Sequence, residues 1–384
     1  MIIKDLQNIL TVPEKDIIRQ IPKIEQFEWM KDLKCGYSGA KVILAWVTYR
    51  NKIQALEVFK FGIANEIQSE KDNWEAHVKR FLDRANVVPV NHFVKDSHSK
   101  RGLIVYGCAS YREADIQTFA EFWKYNLNTE KSIEYIFSHL LKPWYSRSIH
   151  GSEDLGLAVN SFFKKKLNRL KKAVNLPPHD CDRPGIEIKG FGRRLPNPLY
   201  KGHTNISPQN FIVPKSIIHG DLKAQNILLV NRKILIDNTI IVEKDICLID
   251  YANTGQGNVL SDLADLEASI KFQLLELENI REEELFKFEE HICNDFKPTS
   301  TTDTIQSLQI ASGELQKGLI SISAIRREAA RIIEIGRNIE PLSFFVPLYL
   351  HTLKSILHHD KTPLQKRYAF FSAAIILDKQ LAKS

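Results

Sequence analysis

Along this chain the spacing of apolar residues changes more than once. From about Leu33 to Ser110 the apolar residues come in short β-branched and aromatic blocks. "AKVILAWVTYR" and "KIQALEVFKFG" predict two strands joined through "YRNK", a tight hairpin. A helix follows over about Asn65 to Ala85, with Ile67, Trp74, Val78 and Phe81 on one face. "VVPVNHFV" and "RGLIVYGCAS" then predict another strand pair ending near Ser110. After that the period turns helical, in "DIQTFAEFWKY" and "SIEYIFSHLLKPWY", and "LPPHDCDRPG" with its three prolines is a loop. Strands return only around "IIHGDLKAQNILLV" and "DICLIDYA"; everything beyond "LSDLADLEASIKFQLLELEN" is mainly helical, with "FKPTSTTDT" as its clearest break. Residues 1–32 read as one or two short helices, and no internal repeat is visible.

This order predicts an α+β architecture with two lobes around a cleft. A small antiparallel-sheet lobe with one helix spans 33–110, behind an N-terminal helical extension at 1–32. A larger, mainly helical lobe takes 111–384 and carries strand-flanked segments at 217–230 and 246–255. Clefts between lobes are where ligands usually bind.

Composition narrows the setting. With 384 residues, 43% hydrophobic and 26% charged, the chain has the make-up of a soluble globular protein. "MIIKDLQNILTVPEKD" has no signal-peptide pattern, and "PLSFFVPLYLHTLKSIL" is interrupted by Pro347 and reaches Lys354 too soon to span a bilayer. Cys35, Cys108, Cys181, Cys247 and Cys293 are scattered without C-x-x-C pairs, as expected of free thiols in a reducing compartment. The cytoplasm is the expected location, with no membrane partner. The net charge of +7 is concentrated in "KKKLNRLKK" and in Lys189, Arg193 and Arg194. Val159, Phe163, Leu167, Leu170 and Val174 recur at helical spacing there, so the lysines read as the wet side of an amphipathic helix and nucleic acid is not an expected partner.

The chemistry sits where polar residues interrupt buried strands. "HGDLKAQN" fits H-x-D-x-x-x-x-N with His219, Asp221 and Asn226. In such a loop the aspartate orients or accepts the proton of an attacking hydroxyl and the asparagine carbonyl binds magnesium. An ordinary turn between strands would also favour Asp, Asn and Gly, but five matched features in one segment weigh against it. "SIHGSED" at Ser148–Asp154 shows how easily half the motif arises, since it lacks the aspartate and the asparagine. Asp250 ends the apolar run of "DICLIDYA" and is placed to be a second magnesium ligand. Lys60 stands in a largely apolar strand, either snorkelling to solvent or gripping the α- and β-phosphates of ATP. Glu70 falls on the buried stripe of the next helix, between Ile67 and Trp74, and needs a partner; Lys60 is the natural one, with Glu66 the second choice for the acid. "CGYSGAKV" could bring the backbone of Gly36, Tyr37, Ser38 and Gly39 to phosphate oxygens, or be a plain hairpin turn.

Taken in chain order, these features resemble the aminoglycoside phosphotransferase and choline/ethanolamine kinase family, which shares the protein-kinase-like fold. The resemblance covers about Leu33 to Ile270 and is most specific at "HGDLKAQN" and "LIDYANTG"; "SGAKV" and "IDYANTGQGNVLSDLA" look closest to a bacterial set associated with signalling or defence. It implies ATP and Mg2+ as cofactors, Asp221 as catalytic base, Asn226 and Asp250 as magnesium ligands, Lys60 as phosphate clamp and Glu70 as its partner. It further implies that His219 buttresses the Asp250 segment and that the backbone at Tyr106–Ser110 receives adenine. Asp262 reads as a helix-start residue capped near Ser261.

Gly220 replaces the arginine that precedes the aspartate in eukaryotic protein kinases, and only ten residues separate Asp250 from Ser261, which leaves no activation segment. Both points favour a small hydroxyl-bearing acceptor. Lys223 matches the D-L-K of serine/threonine kinases, would sit near the transferred group and argues for a protein acceptor. The competing readings are a nucleotide-sensing pseudokinase, an atypical protein kinase, and transfer of AMP in place of phosphate.

Overall fold

In the computed structural model the described residues are 2–4, 9–33, 40–80, 88–96, 99–109, 115–126, 129–174, 182–187, 194–200, 209–236, 239–294, 296, 312–336 and 338–381. The chain forms two units. One comprises Met1–Asn126, His139–Trp144 and His219–Gly255; the other comprises Leu127–Ser138, Tyr145–Ile218 and Gln256–Ser384. Helices and mostly antiparallel strands make the protein α+β.

The first unit is built on a six-stranded sheet. Its strands are β1 (Ile2–Lys4), β2 (Ile24–Leu33), β3 (Lys41–Tyr49), β4 (Gln54–Ile63), β5 (Val90–Lys95) and β6 (Arg101–Ala109), in the order β1-β2-β3-β4-β6-β5. Neighbours are antiparallel except β1 and β2. The segment read as wholly helical before residue 33 therefore holds one helix, α1 (Val12–Arg19), between two strands. "IEQFEWMKDL" buries Ile24, Phe27 and Leu33 and pairs with β3, a tertiary constraint that its local composition does not announce. A capping box at Thr11 starts α1, and Ile17 and Ile18 cover Phe27, Ile43, Phe59 and Phe61 on one face of the sheet. The β3–β4 hairpin closes where expected, with the Tyr49 N–H donating to the Ile53 carbonyl at 2.9 Å and Lys52 at φ 65°.

Strand alternation sends Lys60 to the face opposite Phe59 and Phe61. Helix α2 (Ala64–Asn73), continued by a wider turn over Trp74–Val78, supplies the partner for Lys60. Two glycines paired across β4 and β6, Gly62 and Gly102, let α2 come close. A Cβ on Gly102 would stand 3.1 Å from Ile67 Cβ and 3.2 Å from Ala64 Cα. After α2 the stretch "DIQTFAEFWKY" opens as a strand, β7 (Asp115–Thr118), and only then becomes helix α3 (Phe119–Tyr125); Thr118 caps it, Oγ1 accepting from the Glu121 N–H at 3.1 Å.

The second unit begins with α4 (Glu130–Tyr135). Strands come earlier here than the sequence suggested: β8 (Ile149–Asp154) contains the "HGSED" near-copy and pairs antiparallel with β11 (Asn210–Ile218). Between them lie α5 (Leu155–Val174) and a short ladder of β9 (Gly185–Glu187) and β10 (Arg194–Pro196). Along α5, Leu155, Val159, Phe163 and Leu170 are buried while Lys164, Lys165, Arg169 and Lys172 are exposed.

At His219 the chain re-enters the first unit and forms the hairpin β12 (Ile227–Ile236) and β13 (Thr239–Leu248), with β7 on the other side of β12. Strand β14 (Gly255–Asn258) leads back to the second unit, whose further α-helices among the described residues are α6 (Leu260–Ser269), α7 (Glu282–Asn294), α8 (Gly313–Ile335), α9 (Leu342–Ile356) and α10 (Pro363–Ile376). Pro347 does not break its segment; it lies inside α9. A proline withholds the N–H that would reach the carbonyl four residues back. That carbonyl, on Ser343, accepts instead from Asn258 Nδ2 at 2.7 Å, while Asn258 Oδ1 takes the Leu260 N–H at 3.0 Å. Val259 stands at the N-cap of α6 while Asn258 takes the first N–H of the helix, and Asp262 in its first turn is buried and accepts from the Tyr145 hydroxyl at 2.8 Å. Among the described residues no helix is long and apolar enough to cross a membrane. Cys247 and Cys293 are buried.

Candidate functional site

Lys60 Nζ lies 2.7 Å from Glu70 Oε2 and 2.7 Å from Asp250 Oδ1. One ammonium thus joins a strand, a helix and the end of a second sheet. Alternation in β4 aims the lysine and the glycine pair seats α2. The helical spacing from Ile67 keeps Glu70 on the buried side, while Glu66 is exposed. Glu70's second oxygen, Oε1, accepts from the Tyr106 hydroxyl on β6. Burial and the Glu70 carboxylate hold that hydroxyl protonated, well above the ordinary phenol range.

Electrostatics follow from this count of charges. Burial works against the Lys60 ammonium, but Glu70 and Asp250 outweigh it and hold the group charged, above lysine's ordinary range. Burial pushes the Glu70 carboxyl up, against the pull of Lys60 and with the help of Asp250. Two carboxylates share one cation here, which leaves room for further positive charge.

The loop from His219 to Asn226 lies in the same unit. Asn226 Nδ2 donates to the Asp221 carbonyl at 2.8 Å and to Asp221 Oδ2 at 3.2 Å, so the amide nitrogen is committed and the side-chain oxygen is the donor atom that remains for a metal. The Asn226 carbonyl accepts from the Ile249 N–H at 3.0 Å, which ties this loop to the residue before Asp250. Lys223 Nζ lies 2.5 Å from Asp221 Oδ1. His219 is buried, with Nε2 3.1 Å from the Ile249 carbonyl, its ring 5.3 Å from that of Tyr251, and its own carbonyl accepting from Thr254 Oγ1 at 3.2 Å. Gly220 has φ +78°, and a Cβ there would sit 2.3 Å from the Asn253 carbonyl oxygen. No arginine could stand at this position without moving the 250s turn.

Asp250 is itself left-handed, at φ 71° and ψ 63°, a conformation that costs a non-glycine residue about 1–3 kcal/mol and persists where surrounding contacts impose it. Here the contacts are Lys60 on the carboxylate and the Asn226–Ile249 bond just before it. Asn73, at the end of α2, adds another: its Nδ2 lies 3.0 Å from both the Tyr251 and Ala252 carbonyls. Asn73 lies in no motif and matters only through tertiary contacts, and the Tyr106 side chain, on the strand whose backbone the resemblance assigns to adenine, meets Glu70 only through the fold. Gly36, Tyr37, Ser38, Gly39, Ser110, Lys189 and Arg193 lie outside the described residues. Arg194 is exposed and donates to the Gly185 carbonyl at 3.2 Å.

A divalent hard cation suits these donors: a carboxylate at Asp250, an amide oxygen at Asn226 and a surplus of negative charge. Among the described residues no group of three or more His, Cys, Asp or Glu side chains is placed to hold a metal, so an ion here would rely on Asn226 and on oxygens from outside the chain.

A family profile described as "Ternary complex associated domain 9" matches residues 185–353. No curated protein matches the chain. Similar solved structures are small-molecule kinases. A glucosamine kinase in complex with glucosamine, ADP and inorganic phosphate has 10% identity and a TM-score of 0.38, over 92% of this chain and 95% of that one. An amicoumacin kinase with AMP-PNP and Ca2+ has 10% identity and a TM-score of 0.39, over 96% and 94%. The Plasmodium vivax ethanolamine kinase has 14% identity and a TM-score of 0.36, over 94% and 84%. At TM-scores below 0.5 these likenesses carry no weight on the chemistry of this chain.

Proposed function

We propose that this protein is an ATP-dependent phosphotransferase of protein-kinase-like fold that passes the γ-phosphoryl group to a hydroxyl, most readily that of a small molecule. The observation that carries the reading is the position of Lys60 Nζ, 2.7 Å from both Glu70 and Asp250, residues far apart in the chain. In this reading Glu70, fixed by Tyr106, aims the lysine at the α- and β-phosphates. Asp221, held by Asn226 and Lys223, orients the acceptor hydroxyl and takes its proton. Its side chain is 14% exposed, so it can meet a ligand while staying largely screened from water. Asn226 and Asp250 would hold magnesium, which when bound neutralises charge on the phosphate oxygens. The absence of arginine at 220 and the short path from Asp250 to Ser261 support an acceptor smaller than a protein segment.

Nucleotide binding tests the reading at its core. ATP titrated into the full chain should bind at least tenfold more tightly with Mg2+ than with EDTA, and Asp250→Asn should remove most of that difference. Binding indifferent to Mg2+ would overturn the metal assignment. Mg-dependent binding without ADP release, across a panel of amino sugars and amino alcohols, would make the chain a sensor and not a kinase. A protein adduct with the mass of AMP would make it an adenylyl transferase.

A further inference from the structure

The second unit holds a separate constellation on α6 and α9. Ser261 and Asp265 lie one helical turn apart on α6, and His351 projects from α9. His351 Nδ1 is 3.0 Å from Asp265 Oδ1, and its Nε2 is 3.2 Å from Ser261 Oγ. An ionised carboxylate can only accept, so the imidazole proton sits on Nδ1 and the Nε2 lone pair faces the serine hydroxyl. Asp265 is 6% exposed, His351 15%, and Ser261 is half-buried. The orienting acid is thus the most sheltered member, and the hydroxyl and the base can both be reached. Asp262, next to Ser261, accepts from Tyr145.

We infer that Ser261 is a nucleophile with His351 as its base and Asp265 as the residue that fixes the imidazole, and that this site accepts acyl groups from carboxylic esters. This order of serine, histidine and carboxylate recurs on unrelated folds and is recognised by geometry, not by chain position. Ser261 lies in the first turn of α6, where the helix dipole favours developing negative charge. In the reaction the Ser261 proton moves to His351 Nε2 as Oγ bonds to the ester carbon. The ester C–O bond then breaks and the departing alcohol takes the proton from Nε2. Water, giving its proton to the same nitrogen, releases the acid and restores the serine. No phosphoryl donor takes part, so this inference stands or falls apart from the proposed kinase function.

The test uses the full chain and a fluorophosphonate probe, which loses fluoride as an Oγ–P bond forms. The expected result is one adduct per chain, mapped to Ser261 and missing in Ser261→Ala, formed about 10²-fold more slowly in His351→Gln. Should His351→Gln fail to fold, Ser261→Cys gives an independent reading. A thiol beside this imidazole should react with iodoacetamide well below the pH that ordinary thiols need. No adduct on Ser261, or a Ser261→Cys alkylation profile like that of a free thiol, would overturn the inference and leave the three residues as a hydrogen-bonded strut.

Discussion

Lys60→Met keeps most of the apolar volume of the side chain and removes only its ammonium. Glu70, 1% exposed, and Asp250, 14% exposed, then lose their shared cation. Removing one partner of a buried pair costs about 3–5 kcal/mol, and the partial exposure of Asp250 places the expected loss at the lower end, about 3 kcal/mol. For a unit of this size that corresponds to a fall in Tm of roughly 6–12 °C. The loss also depends on pH. Burial already pushes the Glu70 carboxyl up, and without Lys60 it rises further. A carboxyl raised in the folded state binds more protons folded than unfolded. Its stabilising contribution is therefore full below the unfolded value of about 4.3 and is lost as pH rises through the folded one. Lys60→Met should accordingly be nearly neutral below about pH 4.3 and most harmful near neutrality. The double variant Lys60→Met/Glu70→Gln should recover most of the loss, because no buried charge remains at position 70. Urea unfolding followed by circular dichroism across that pH range measures all of this. A loss under about 1 kcal/mol that stays flat with pH, or a double variant no better than the single one, would refute the shared-cation reasoning.

Other consequences are more local. Gly220→Ala places a Cβ against the Asn253 carbonyl in a left-handed backbone, and should cost about 1–3 kcal/mol, read as a lower Tm. Asn258→Ala strands the Ser343 carbonyl and the Leu260 N–H, for a loss of about 1–3 kcal/mol; adding Pro347→Ala should return part of it by restoring the missing N–H, which unfolding of both variants would show.

Much of the site could be read from the sequence because its signals are local. The strand-loop-strand pattern around "HGDLKAQN" and the stripe Ile67–Glu70–Trp74 need only nearest-neighbour periodicity. What stayed hidden depends on partners distant in the chain. "IEQFEWMKDL" became a strand because β3 offers it an edge, and Ile149–Asp154 because β11 does. Nothing in the neighbourhood of Pro347 reveals that Asn258 satisfies the freed carbonyl, so in sequence the proline reads as a break. Tyr106 and Asn73 carry no motif; only the fold brings one to Glu70 and the other to the 251–252 carbonyls.

ADP formation by the wild-type chain and by Asp221→Asn, with saturating Mg-ATP and an amino-sugar or amino-alcohol acceptor, tests the central claim most directly. Loss of the proton acceptor should slow turnover about 10²–10⁴-fold while ATP affinity changes little. Equal rates for the two proteins would contradict the account.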